Sequence, residues 1–131
     1  MHVLHNMVYA VRPGGTVLDL QVIRPNPRVE VAERLICEVD GSPLFRRADA
    51  ATAATDSLIA AGRLLEVAVD DHDVRTHYPS GADLVDDFED KQRRLPEEAI
   101  PALRTIEPPC VLRERCRLRR ITVRCAADAW C

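Results

Sequence analysis

The sequence predicts an α/β or α+β domain with three main strands, an extra β-hairpin and flanking helices. Three observations predict it. A proline–glycine corner, Arg12-Pro13-Gly14-Gly15, runs directly into the apolar stretch Thr16–Ile23. An alanine-rich segment then ends at Gly62 and is followed by a second strand-like stretch. Near the end, Val111–Val123 alternates arginine with apolar residues. Helical and strand periodicities take turns along the chain, as they do in mixed folds. A chain of 131 residues has room for one domain with a modest core. We expect that domain over residues 1–124, with 125–131, "CAADAWC", as a tail.

The elements follow in order. Val3, Leu4, Met7, Val8 and Val11 fall at helical spacing, so residues 2–11 read as a short helix or the end of a longer one. The corner at Pro13 stops it, because proline cannot extend a helix and glycine allows the positive φ of a sharp reversal. In Thr16–Ile23, Leu18, Leu20 and Val22 share one face, and Val17, Asp19, Gln21 and Ile23 the other. A strand this apolar on both faces is expected inside a sheet. "RPNP" breaks it, and "RVEVAERLICEVDG" reads as one or two short strands. Ser42-Pro43 has the chemistry of a helix start, with serine as cap, for a helix over about 44–61 that Gly62 stops. Leu64–Tyr78 reads as a strand interrupted or extended by an acidic loop. Ser80 with Asp83 makes a capping box for "GADLVDDFEDKQRRL", whose Lys91, Arg93 and Arg94 would suit a helix C-terminus. Pro96 with Glu97 and Glu98 starts another short helix, and Val111–Val123 is the last strand.

Composition excludes some function classes. The net charge is −3, so nothing global draws the chain to nucleic acid or acidic lipid. No apolar run approaches the roughly 20 residues of a membrane span, and the N-terminus lacks a signal-peptide layout; a cytoplasmic protein is expected. Cys37, Cys110, Cys116, Cys125 and Cys131 contain no C-x-x-C pair, which argues against zinc and for incidental or buried thiols. Lys91 is the only lysine among 18 basic residues, a bias that points to a GC-rich, bacterial genome. "VDDHDVRTHY" gathers Asp70, Asp71, His72, Asp73, His77 and Tyr78, and His72 with Asp70 or Asp73 could bind a divalent metal or act as an acid–base pair; neighbours on a strand face opposite ways, so a solvated acidic loop or edge strand is the simpler reading. No G-x-S-x-G motif supports a hydrolase. Arg113, Arg115, Arg117 and Arg119 fall on one strand face without interleaved aromatics, a weak pattern for nucleic acid. The alternation changes parity at Arg119-Arg120, as a bulge or the end of pairing would explain.

"YAVRPGGTVLDLQV", Tyr9–Val22, resembles the corner that leads into the fifth strand of class I S-adenosylmethionine-dependent methyltransferases. The order of the later elements is similar over about residues 3–124, with helix 44–61, strand 64–78 and strand 111–123 standing for the family's next helix and its sixth and seventh strands. The resemblance implies part of a Rossmann-like methyltransferase sheet and a parent activity of methyl transfer to an acceptor. It also implies that the seventh strand pairs with the sixth, bringing the arginines near Asp70, Asp71 and Asp73. The family's cofactor loop has no counterpart, since this sequence contains no G-x-G. The resemblance therefore implies half a sheet, from a shortened gene or a start at an internal methionine, binding no S-adenosylmethionine alone and inactive in isolation.

His2 and His5 fall where the family lines its active-site mouth; otherwise they form a polar helix face. Asp19 either faces the family's ligand cleft, pairs with an arginine or meets solvent. With no fourth strand beside it, one edge of Thr16–Ile23 is open. Either the insert folds over that edge, or the edge or its apolar face pairs with a second copy or a partner chain, or the chain is only marginally stable. Two rival readings are a small non-catalytic interaction module and a subunit that completes an enzyme in trans.

Overall fold

A computed structural model describes residues 11–89 and 93–124. In chain order the elements are β1 (Thr16–Val22), β2 (Arg28–Val31), β3 (Arg34–Glu38), α1 (Ser42–Ala60), β4 (Leu64–Tyr78), α2 (Gly81–Asp87), a 3-10 turn (Glu97–Ala99), α3 (Ile100–Arg104) and β5 (Cys110–Val123). The strands hydrogen-bond in the order β1-β5-β2-β3, with β4 also paired to β5. The architecture is α+β with an antiparallel sheet. The chain divides into two compact units, and β1, α1, β4 and β5 contribute residues to both.

Of the described residues, the first unit takes Val11–Gln21, Arg47–Asp71 and Arg117–Arg124. Gly14 has φ 83°, the conformation for which glycine is suited. Its N–H donates to Val123 O at 2.7 Å, and Val123 N–H returns a bond to Gly15 O at 3.0 Å. These bonds fix the corner against the end of β5. Arg124 N–H donates to Arg63 O at 3.0 Å, which places the start of β4 on the other side of β5. Here β5 lies between β1 and β4. Gly62, at φ 75°, closes α1: its N–H reaches Ile59 O and the Arg63 N–H reaches Leu58 O, both at 3.0 Å. That is the paired bonding of a Schellman cap. Val17, Leu64, Ile121 and Val123 form the core, with Leu58 and Ile59 of α1 and Val11 packed on it. Each fully buried Leu or Ile here contributes roughly 1.5–3 kcal/mol.

The second unit takes Val22–Arg46 and His72–Cys116. β2 pairs antiparallel with β5, Arg28 opposite Arg113 and Glu30 opposite Val111, and with β3 it forms a hairpin. Ser80 Oγ accepts the Asp83 N–H at 3.2 Å and caps α2. The core joins Val29, Val39, Leu84, Val85, Phe88, Leu103, Cys110 and Leu112. Cys110 and Leu112 of β5 feed this core, and Ile121 and Val123 feed that of the first unit. The parity change read in the sequence is not a break in the strand: β5 runs unbroken from Cys110 to Val123.

Several expectations are corrected. β1 is apolar on both sides yet lies at the end of the strand order, with Leu18 and Leu20 exposed. The insert does not fold over its edge, because β2 pairs with β5. Ser42 is not the cap of α1: it lies within the helix, donating its N–H and hydroxyl to Asp40 Oδ1 at 3.0 and 2.6 Å. β4 is one strand of 15 residues, with no loop at its acids. α2 ends at Asp87, so Arg93 and Arg94 are not its last turn; Arg94 instead bridges to Asp40. The helix expected over 2–11, Lys91 and the tail lie outside the described residues, except for Val11.

Candidate functional site

The arginines of β5 meet carboxylates. In the second unit, Arg113 donates to Asp73 through Nε at 2.8 Å and Nη2 at 2.7 Å, and Arg115 Nη1 reaches the other oxygen at 3.2 Å. Hydrogen bonds from Arg113 and then Arg115 hold the Asp73 carboxyl below its ordinary range. In the first unit, Arg117 grips Asp71 with two parallel bonds of 2.8 and 2.9 Å. Arg119, nearly buried, donates to Glu66 at 2.6 Å and Asp56 at 2.9 Å. Burial opposes its charge, but those two carboxylates outweigh burial and raise its pKa. The acids of β4 are thus the counter-ions of β5, as the resemblance implied for Asp71 and Asp73. These carboxylates already occupy the forks that a phosphate would need.

Of the named candidates only Asp19 is among the described residues. His2 and His5 lie outside the described residues. Asp19 sits half-buried on β1, its Oδ1 accepting the Gln21 amide at 2.7 Å. Its Oδ2 is buried with no hydrogen-bond partner among the described residues, so it pairs with neither an arginine nor open solvent. Among the described residues no three His, Cys, Asp or Glu side chains gather to hold a metal, and no helix is long and apolar enough to cross a membrane. Cys37, Cys110 and Cys116 are free thiols whose pKa burial raises, which disfavours the nucleophilic thiolate. In the second unit a shallow cleft lined by Asn26, Arg28, Asp73 and Arg115 opens beside the ion pairs.

The first unit holds the more unusual feature. Val17, Leu64 and Ile121 face its core, so alternation turns Leu18, Leu65 and Arg120 to the opposite side. On that side Leu18 is 60% exposed, Leu20 55%, Leu65 51%, Val67 49% and Val69 46%. Scattered exposed leucines are ordinary, whereas several on one face of a sheet, on the two strands flanking β5, make a patch of the kind that contact surfaces use. The apolar content of both faces of β1 was the sequence signal for this surface; reading it as burial inside a sheet concealed it.

Comparison with protein-family models, curated proteins and solved structures found no match for this chain.

Proposed function

We propose that these residues form the C-terminal half of a class I methyltransferase-type sheet, and that the chain acts by association instead of catalysing methyl transfer itself. One observation carries the reading. The Pro13-Gly14 corner leads into β1, and β5 then runs between β1 and β4, bonded to the corner at Val123 and to Arg63 at Arg124. A late antiparallel strand between the fifth and sixth is the arrangement that the resemblance implies. No G-x-G loop stands among the 131 residues to hold S-adenosylmethionine, so the parent activity would need residues from elsewhere.

Two measurements test this. Calorimetric titration of S-adenosylmethionine into the chain is expected to give no binding heat, and micromolar affinity would contradict the half-sheet reading. Residue-resolved hydrogen exchange is expected to show alternate amides of Thr16–Val22 exchanging at loop-like rates, because an edge strand leaves every second N–H unpaired. Uniform protection of β1 would mean that its outer edge is already filled. The non-catalytic interaction module is the second reading, favoured by the exposed apolar face.

A further inference from the structure

We infer that the bare face of the β1-β5-β4 sheet docks an amphipathic helix from a partner protein, and that this helix carries a carboxylate inside its apolar stripe. The inference rests on the patch itself and goes beyond the methyltransferase reading. Leu18 and Leu20 line one side, Leu65, Val67 and Val69 the other, and half-buried Leu118 with exposed Arg120 lies on β5 between them. Three strands at about 4.8 Å spacing make a strip about 10 Å wide, close to the roughly 10 Å width of one helix.

Arg120 selects the occupant. The ion pairs that β5 arginines make among the described residues involve Arg113, Arg115, Arg117 and Arg119, not Arg120. A wholly apolar partner would strip water from this guanidinium without replacing its hydrogen bonds, which is costly. A second copy docked on a two-fold axis passing at Arg120 would set that residue against its own image, with like charges opposed. A helix with leucines on either side of one glutamate covers the apolar strip and satisfies the guanidinium.

The test uses two labelled synthetic 18-residue helices with the same leucine stripe, one with Glu at its centre and one with Lys. Binding to the whole chain is read by fluorescence anisotropy, and self-association by sedimentation velocity. The Glu peptide is expected to bind at least about tenfold more tightly than the Lys peptide. Arg120→Glu should reverse that preference, and Val67→Asp should abolish binding of both; circular dichroism checks that each variant remains folded. Equal affinities, or a preference that survives Arg120→Glu, would overturn the inference by showing an unselective apolar surface. Failure of both peptides to bind would overturn it too. A dimer at about 50 µM that Val67→Asp dissolves would overturn it in favour of a second copy.

Discussion

Gly81 and Gly62 both stand at helix ends, for different physical reasons. A Cβ on Gly81 would lie 1.9 Å from Leu103 O and 3.1 Å from Ile106 Cβ, so α2 and α3 would have to separate. At Gly62 the same atom would meet nothing within 4 Å, but φ is 75°, where only the left-handed backbone penalty applies. Gly81→Ala is therefore expected to cost about 3 kcal/mol, as overpacking does at its upper range, and Gly62→Ala about 1 kcal/mol. Urea unfolding checks the ranking, and the reverse order would refute the close-approach account. Glu114 gives a similar contrast among ion pairs. Its side chain is 5% exposed; Arg93 donates to it through Nε, and through Nη2 at 3.0 Å. Arg93→Met would leave a buried carboxylate uncompensated, for a loss of about 3–5 kcal/mol. Arg104→Met, breaking the exposed pair with Asp86, should cost under about 1 kcal/mol.

The hairpin between β2 and β3 turns on Ala32 at φ 50° and Glu33 at φ 65°. Two successive positive φ values make a type I′ turn, which Asn-Gly suits and Ala-Glu does not. Replacing Ala32 with Asn and Glu33 with Gly together should raise stability by about 1 kcal/mol. An unchanged denaturation midpoint would mean that the strain is relieved elsewhere. Nothing in "VAERL" announces that turn, because neither residue has a preference for it; only the flanking β-branched residues signalled strands. Elements with local signals were legible: the Pro-Gly corner, the Gly62 stop, the Ser80 cap and the alternation of Val111–Val123. β4 was only partly legible. Consecutive acids ordinarily interrupt an apolar strand, and here they persist because Arg113 and Arg117, about 40 residues later in sequence, meet them across the sheet. Which face of β1 is bare was not legible, since Leu18 and Val17 look alike until α1 takes its side.

At the scale of the molecule, the charged groups set the pH range over which the fold holds. Asp73 is kept below its ordinary pKa by hydrogen bonds from Arg113 and Arg115, and Asp40 by hydrogen bonds from Ser42. For a carboxyl depressed by folding, the stabilising contribution is complete above the unfolded pKa of about 4. It is lost as pH falls through the lower folded value. Stability should therefore change little between about pH 7 and 5 on this account and decline below about pH 4. Tyr78 sets the opposite limit. Burial first, and then its 2.6 Å hydrogen bond to Asp87, push its hydroxyl pKa upward. The neutral phenol is favoured in the fold, so its contribution is full below the unfolded pKa of about 10 and falls away above it. Two variants separate the limits. Asp73→Asn should be less stable at neutral pH and show a shallower decline below pH 4, while its alkaline limb is unchanged. Tyr78→Phe should keep the acid limb and flatten the alkaline one. Guanidinium midpoints at about one-unit intervals from pH 3 to 11 would read both limbs. If Asp73→Asn leaves the acid limb as steep as before, the ion pairs of β4 with β5 are not what acid dissolves.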